Sequence, residues 1–253
     1  MKTGVDKMDY GVVLDLETSG IEPGKDEIIE VGILEFSVGE DGKPHITNMY
    51  SALQDPGFPL SPEIQKLTGL TNETVAGQSV NWVTVRAMLE RASLVIAHNS
   101  SFDRAFIELR PELKGLDLHW ACSMKHIDWE GKGFRTRALN YLAADHGFVN
   151  PFAHRALFDC ATTFRIVEPY FNELLTRSYL QEIRVLATGA AFETKDKLRA
   201  ARYRWDPQQR VWFKDILEDG LVGEQLFLKT EIYTNGRDTH RVETLTIVRE
   251  TNS

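Results

Sequence analysis

The sequence predicts an α/β domain with a mixed sheet flanked by helices, followed by a small α+β domain. A β-rich region comes first. One apolar strand starts at Tyr10, a second covers Glu27–Val38, and His45–Leu53 returns after the turn signal Asp41-Gly42. Strands and helices then alternate, which is typical of parallel pairing. Antiparallel strands followed by such alternation favour a mixed sheet over a purely parallel one.

The alternating region contains two further strands. The short apolar run Leu94–Ala97 predicts a central parallel strand, and Leu116–Cys122 predicts an edge strand. Pro169 should kink the last helix or divide it in two. Because the alternation ends near residue 178, we expect domains at residues 1–178 and 179–253. Apolar spacing and end signals predict helices at Ser61–Leu67, from Thr71 or Asn72, and at Val80–Ala92, Arg104–Leu109, Arg137–His146 and Ala156–Thr176.

The C-terminal part differs in character from the rest of the chain. Residues 181–214 hold eight lysines and arginines against four acidic residues, although the whole chain has a formal net charge of -8. Leu226–Thr234 and Thr239–Val248 flank Asn235-Gly236, a pair typical of a two-residue turn, and together they predict a β-hairpin. The predicted small domain is therefore α+β and locally basic.

The composition is that of an ordinary globular protein, with 42% hydrophobic and 26% charged residues among 253. Met1–Asp9 is polar and no apolar run approaches the roughly 18 residues of a membrane span, so we expect neither secretion nor a membrane segment. Cys122 and Cys160 are expected as reduced thiols in the cytoplasm, with a disulfide as the alternative. The net charge argues against bulk coating of nucleic acid, but it permits a metal-bridged site with a local basic patch.

Two carboxylates end the first apolar run. Asp15 and Glu17 are two residues apart, so a strand presents both on one face. Two carboxylates so close in a dry site cannot both stay ionised without a cation between them, and the pair therefore suggests a metal. The alternative is a solvated strand end before the turn at Ser19-Gly20.

Three further residues could complete such a site. Asp103 follows the predicted central strand, where open α/β sheets bind ligands, although it could instead cap the next helix. Asp159 lies in an apolar stretch of the long helix, where an unpaired carboxylate would be costly. His154 is five residues earlier, about 140° away if both were helical, so we expect it in the preceding loop, free to swing towards a metal. An ordinary surface histidine is the alternative.

Three segments together resemble a known family. Asp15-Leu-Glu17-Thr-Ser-Gly20, His98-Asn-Ser-Ser-Phe-Asp103 and His154-Arg-Ala-Leu-Phe-Asp159 resemble, in order and approximate spacing, the three motifs of the DEDDh 3′–5′ exonucleases. That superfamily includes the polymerase III proofreading subunit and RNase T. Leu67-Thr-Gly-Leu-Thr71 resembles a segment that the family carries between its first two motifs. The resemblance covers about residues 10 to 175 and implies an RNase H-like fold.

The resemblance implies a metal-dependent active site. Its ligands would be Asp15, Glu17, Asp103 and Asp159, holding two Mg²⁺ or Mn²⁺ ions, which prefer carboxylate oxygens. Zinc is less expected because no Cys/His cluster has ligand spacing. His154 would accept the proton of the attacking water. The expected substrate contacts in this domain are Thr18, Ser19, Gly20 and Asn99. His98 and Asn99 are equally compatible with a loop-shaping role.

The chain departs from the family pattern in two places. Residues 120–129 replace a short Asp-Thr element, which leaves the substrate floor undefined. The segments Phe192–Leu198 and Tyr203–Lys214 resemble the small domain of exonuclease X-like nucleases. Its aromatic residues could stack on bases or form a core. The arginines expected to contact substrate are Arg199, Arg202, Arg204 and Arg210, and the alternative is that they form a solvated basic face. Gln225-Leu-Phe-Leu228 weakly resembles a sliding-clamp peptide, and the alternative is the first strand of the predicted hairpin.

We therefore expect a metal-dependent 3′–5′ exonuclease that releases nucleoside 5′-monophosphates from the 3′ end of DNA, preferably single-stranded. An exoribonuclease is the second possibility. A non-catalytic nucleic-acid-binding or polymerase-binding protein is a third, and the complete set of acidic residues with His154 argues against it. A polymerase or sliding-clamp partner is only weakly indicated, and no membrane partner is expected.

Overall fold

The computed structural model describes residues 10–234 and 238–245. The chain divides into two compact units, Met1–Ser178 and Tyr179–Ser253. Each unit has its own sheet and its own hydrophobic core. None of the helices in the described residues has the length and hydropathy needed to cross a membrane.

The sheet of the first unit is mixed, as predicted. Among the described residues its strand order is β3-β2-β1-β4-β5. Strand β1 is antiparallel to β2 and parallel to β4, while β2 and β3 form the predicted hairpin and β4 pairs in parallel with β5. The strands are β1 Tyr10–Thr18, β2 Ile28–Val38, β3 Pro44–Leu53, β4 Val95–Ala97 and β5 Trp120–Cys122.

Helices cover both faces of this sheet and make a three-layer domain. Val12 and Leu14 of β1 are buried in one core with residues of α3 and α4, and Val13 is buried in the other with residues of α6. Because side chains alternate along a strand, Asp15 and Glu17 share the α6 face with Val13. The helices are α1 Pro62–Thr68, α2 Asn72–Val75, α3 Trp82–Arg91, α4 Ser100–Leu109, α5 Leu139–Asp145, α6 Ala156–Val167 and α7 Phe171–Arg177.

Two helix boundaries bear on the site. The predicted long helix is divided, because Pro169 lies in a 3₁₀ turn, Glu168–Tyr170, between α6 and α7. Helix α4 begins at Ser100, four residues before the predicted start, so Asp103 lies within its first turn. Proline lacks the N–H that an internal helical residue donates, which accounts for the first boundary.

The second unit is built on an antiparallel sheet. Its described strands are ordered β7-β8-β6-β9, with α8 Lys195–Ala200 and α9 Leu221–Phe227 also in this unit. The strands are β6 Glu182–Ala187, β7 Arg204–Asp206, β8 Val211–Leu217 and β9 Arg241–Thr244. The core consists of Val185, Ala187, Leu198, Tyr203, Leu228, Ile232 and Tyr233.

The predicted C-terminal hairpin is wrong. Leu226–Thr234 is largely helical, since α9 continues into a π-helical turn, Leu228–Ile232. Burial recurs every four residues, at Glu224, Leu228 and Ile232, which is the spacing of a helix face. Strand β9 pairs with β6 instead. The predicted turn pair Asn235-Gly236 and the end of the predicted second strand lie outside the described residues.

The same change affects the segment that resembles a sliding-clamp peptide. Gln225 to Leu228 is helical, and Leu228 is completely buried in the core of the second unit. The segment is neither a hairpin strand nor an extended peptide available to a partner.

A glycine lets α6 approach the sheet. Gly32 of β2 lies opposite Asp15 of β1, and a Cβ built on Gly32 would be 2.5 Å from the backbone of Ala156 and Leu157. The thiol of Cys160 donates to the Gly32 carbonyl at 3.2 Å, so the first turns of α6 lie directly on this point. The close approach places the start of α6 beside the carboxylates of β1.

We expect Gly32→Ala to destabilise the first unit by about 1–3 kcal/mol, the usual cost of overpacking a core. Gly223→Ala is the control, because its Cβ would meet nothing within 4 Å and it lies in a helix. That change should be neutral or stabilising by up to about 1 kcal/mol. Urea denaturation of both variants tests this, and parental stability of Gly32→Ala would contradict the packing described.

Candidate active site

Strand β1 and helix α6 bring three carboxylates together. Side-chain oxygens of Asp15, Glu17 and Asp159 all lie within 4.8 Å of one another. Asp15 and Glu17 share a face of β1, and Asp159 comes from the first turn of α6. Because Asp15 and Glu17 are two residues apart, their carboxylates lie on one face of β1, and the third carboxylate reaches them from α6.

Asp103 adjoins this group from α4. Its Oδ1 accepts a hydrogen bond from the backbone N–H of Leu16 at 3.1 Å, and the residue is buried. The N-cap residue of α4 is Asn99. Asp103 therefore does not cap this helix, contrary to the alternative interpretation of the sequence. The hydrogen bond holds Asp103 against β1 between the positions of Asp15 and Glu17.

Burial and mutual repulsion make this site strongly acidic. Burial raises the pKa of Glu17 to about 8, and the charges of Asp159, Glu30 and Asp103 add to the effect. Burial also raises the pKa of Asp103 to about 8. The pKa of Asp15 is raised well above its usual value by burial and then by its acidic neighbours, and burial raises that of Asp159. Such a donor set suits a hard divalent cation, which would replace protons as the neutralising charge.

His154 lies in the turn before α6, where the sequence placed it. Its side chain is exposed and its backbone is left-handed, with φ +61°, which is uncommon for a residue other than glycine. The charge of His154 lowers the pKa of Asp159, and the backbone N–H of the next residue, Arg155, donates to Asp159 Oδ2 at 3.1 Å. His154 is therefore held beside one of the three clustered carboxylates by its neighbour in the chain.

Glu30, Arg155 and Asn150 fix this turn, and sequence reasoning missed all three. Glu30 of β2 is buried and receives two-pronged hydrogen bonds from the Arg155 guanidinium at 3.0 Å, with the Ala156 N–H at 3.2 Å. The Arg155 N–H donates to Asp159 Oδ2 at 3.1 Å, and the Asn150 amide donates to Oδ1 at 3.0 Å. The sequence did contain a signal for Glu30, because an acidic residue within an apolar strand needs a partner for its buried charge.

The turn after β1 is tightly folded. The Thr18 hydroxyl donates to the Gly20 carbonyl at 2.6 Å, and Ser19 Oγ accepts from the Glu27 N–H at 3.0 Å. A Cβ on Gly20 would be 2.4 Å from the Asp26 carboxylate, so only glycine fits there without a shift. Backbone groups of this turn are thus held beside the carboxylates of β1, and their predicted contact with substrate stays a prediction.

His98 and Asn99 shape the loop at the end of β4. Burial lowers the pKa of His98 to about 4, so the ring is neutral and its Nε2–H donates to the Arg137 carbonyl at 2.8 Å. Nδ1 then accepts from the Ser123 hydroxyl at 2.7 Å. Asn99 has a left-handed φ of +73° at the start of α4. His98 thereby joins two loops, whereas the proposed contact of Asn99 with substrate is a prediction.

The four arginines predicted to contact substrate lie in the second unit. Arg204 donates to Asp215 at 2.8 Å, and Arg199 donates to Asp196 at 3.2 Å. Arg202 and Arg210 are exposed and have left-handed backbones, with φ +66° and +53°. Asp215, the partner of Arg204, is more buried than Asp196, the partner of Arg199.

The strand order and the converging carboxylates define an RNase H-like exonuclease fold. The exonuclease family model RNase_T matches residues 12–167, more than half of the chain. The chain therefore belongs to this exonuclease family, within the DEDDh 3′–5′ exonuclease superfamily, as its three motifs predicted. The family depends on divalent metal ions.

Relatives and a solved structure agree with this family. The PolC-type DNA polymerase III of Listeria welshimeri is 31% identical over 156 residues, 60% of this chain and 10% of the relative. The epsilon subunit of DNA polymerase III from Aquifex aeolicus is 29% identical over 168 residues, 64% of this chain and 81% of the relative. A full-length 3′-exonuclease has a TM-score of 0.54 at 18% identity, over 68% of this chain and 64% of the other, and supports the fold. The chain spans about a tenth of the PolC-type relative.

Without metal, the free energy of unfolding should fall as the pH rises from 7 to 9. In the fold Glu17 and Asp103 hold protons up to a pKa of about 8, whereas unfolded carboxyl groups lose them near pH 4, so raising the pH favours unfolding. Buried histidines with lowered pKa act in the opposite direction, but only below about pH 6.5.

Urea denaturation in a chelator at several pH values measures this slope. Adding Mg²⁺ or Mn²⁺ should restore stability more at pH 8.5 than at pH 7, because the ions bind ionised carboxylates. Glu17→Gln should reduce the slope. Stability that increases from pH 7 to 9 in the chelator would contradict the raised pKa values.

Glu30→Gln should lower kcat by about 10- to 100-fold, because a glutamine cannot accept both guanidinium hydrogen bonds and the turn that carries His154 and Asp159 would shift. Glu35→Gln is the matched control. Glu35 is equally buried on the same strand and bonded to Arg91 and Asn48, but it lies roughly 16 Å further along β2. Steady-state kinetics that show equal kcat values for the two variants would exclude the positioning role of Glu30.

Proposed function

We propose that this protein is a metal-dependent 3′–5′ exonuclease that releases nucleoside 5′-monophosphates from DNA, preferably from single strands. One observation carries the proposal. Three carboxylates lie within 4.8 Å of one another, Asp103 adjoins them, and the exposed His154 directly precedes Arg155, whose backbone N–H donates to Asp159. Acidic ligands can hold the divalent ions, and an exposed histidine can accept the proton of the attacking water, which are the two roles that metal-assisted hydrolysis of a phosphodiester uses.

Charge balance supports two divalent ions. When ionised, Asp15, Glu17, Asp103 and Asp159 carry a charge of about -4, which two such ions would neutralise. Mg²⁺ and Mn²⁺ suit an all-carboxylate donor set. Bound there, the ions would stabilise the charge that develops on the attacking and leaving oxygens.

The residues of the chain then have distinct roles. The carboxylates hold the ions, while His154 accepts the proton of the attacking water from its exposed turn. Glu30, Arg155 and Asn150 keep His154 and Asp159 positioned beside β1. The turn Thr18–Gly20 offers backbone groups to the terminal nucleotide, and Asn99 is a further proposed contact.

DNA is the favoured polymer because the two relatives described above are named as DNA polymerase III proteins. Their names also make a polymerase partner conceivable for this chain, and the proposal does not depend on one. The unpaired, buried Cys122 and Cys160 support the cytoplasm as the compartment. RNA cleavage is the competing outcome that the assay below must separate.

With Mg²⁺ or Mn²⁺, the protein should shorten a 5′-labelled single-stranded DNA stepwise from its 3′ end. Asp15→Asn and His154→Ala should each lower kcat by about 100-fold or more, because one removes a ligand charge and the other the proton acceptor. The unfolding free energy of Asp15→Asn should stay near the parental value or rise, since repulsion is relieved. Gel analysis of matched DNA and RNA strands, with product identification, measures these outcomes.

The control is His45→Ala, which removes an exposed histidine paired with Asp41 on the β2–β3 hairpin and should leave kcat unchanged. A 3′-phosphate should block the reaction, so equal rates on blocked and free ends would refute attack at the 3′ end. If the RNA strand is cleaved faster, RNA replaces DNA as the proposed substrate, and the proposed chemistry stays the same.

A further inference from the structure

A strip of aromatic and cationic side chains runs along the second unit. Lys195 Nζ lies 4.1 Å from the ring centroid of Phe192, and the Arg199 guanidinium lies 5.9 Å from that of Trp212. The ring of Trp212 is 5.6 Å from that of Trp205. Lys195 and Arg199 are four residues apart in α8 and share one helix face, and the two tryptophans face each other across β7 and β8. The five side chains therefore form a contiguous strip.

Two of the three aromatic rings in the strip are exposed to solvent. Phe192 is 75% exposed and Trp205 is 47% exposed, whereas Trp212 is half-buried against the core of the unit. Packing against the core explains the position of the Trp212 ring, but it explains neither of the other two rings. Lys195 has no carboxylate partner among the described residues, and Arg199 pairs with Asp196 only through two largely exposed side chains. An exposed pair of this kind contributes little and yields readily to another anion.

The opposite face of the same sheet differs. The ring of Phe213 has the guanidinium groups of Arg184 and Arg204 at 4.3 and 4.7 Å, and both guanidiniums donate to Asp215. On that face the Phe213 ring is covered, and Arg184 and Arg204 are both paired with Asp215.

We propose that the strip Phe192, Lys195, Arg199, Trp212 and Trp205 binds single-stranded nucleic acid. Bases stack on Phe192 and Trp205, while Lys195 and Arg199 bind the phosphates. Planar rings at intervals with cations between them match a polymer that alternates bases and phosphates. An acidic peptide would use the cations and leave the rings without planar partners. The inference rests on the proposed function, because it gives the exonuclease a second contact with its substrate.

Binding of a fluorescein-labelled oligothymidylate of about 12 nucleotides, within the site sizes of single-strand surfaces, tests the strip in the full chain. With metal removed by a chelator, anisotropy reports Kd without cleavage. Phe192→Ala and Trp205→Ala should each weaken binding by about 5- to 150-fold, the loss expected for one stacked base. Trp205→Phe keeps an aromatic ring and should recover most of the affinity.

The matched charge variants are Lys195→Ala on the strip and Lys197→Ala, which lies on the same helix but is paired with Glu231 at 2.9 Å. Lys195→Ala should reduce the slope of log Kd against log salt by about 0.7, the value for one phosphate contact on a single strand. Lys197→Ala should leave both Kd and slope at parental values. Equal losses from the two variants, or parental affinity in Phe192→Ala and Trp205→Ala, would overturn the assignment and leave the strip to a different occupant.

Two readouts keep this test separate from that of catalysis. Unfolding curves must match the parent, which is expected for Phe192→Ala because its ring is largely in solvent. The strip variants should raise KM for the oligonucleotide while kcat stays unchanged. Asp15→Asn should remove cleavage whether or not the strip binds. Loss of kcat in Phe192→Ala with unchanged Kd would contradict a binding role.

Discussion

Repulsion among buried carboxylates is the constraint on which the rest of the first unit depends. Backbone N–H groups of Leu16 and Arg155 hold Asp103 and Asp159 in place, yet hydrogen bonds from neutral donors do not cancel their charge. The nearby Arg155 guanidinium is bonded to Glu30, a fifth acid that itself raises the pKa of Glu17. The site is therefore electrostatically unbalanced, a condition that a divalent cation can relieve by displacing protons from the carboxylates.

The layered fold makes this crowding possible. Strand β1 is buried on both faces, so its alternate side chains belong to two different cores, and the polar pair Asp15 and Glu17 continues the face that α6 covers. Helix α6 comes close enough only because Gly32 has no side chain at the point of contact. The same first turn then presents Asp159 to β1, so packing in the core and assembly of the site share one structural cause.

Local patterns predicted the carboxylates that the structure brings together, because each of them lies in a segment whose own pattern marks it. A period of two placed Asp15 and Glu17 together, and Pro169 divided the long helix as expected. The predicted hairpin was wrong because the Asn-Gly turn signal was given more weight than the helical spacing of Glu224, Leu228 and Ile232. That spacing is hard to recognise because one of its members is charged. Glu224 is buried with Lys214 Nζ at 2.6 Å, a partner on β8 that no local pattern shows. Glu30 and Arg155 were missed for the same reason, since they are 125 residues apart in sequence.

The two units meet different physical demands of the proposed reaction. An acidic centre in a chain of net charge -8 repels a phosphate backbone until cations bind, so the chemistry itself supplies little affinity for the rest of the strand. Charge on the second unit compensates only in part, because several of its cations are paired with acids, as Arg184 and Arg204 are with Asp215. Stacking on exposed rings does not depend on net charge. A protein of this composition can therefore retain a single strand through Phe192 and Trp205 where electrostatic attraction alone would be weak.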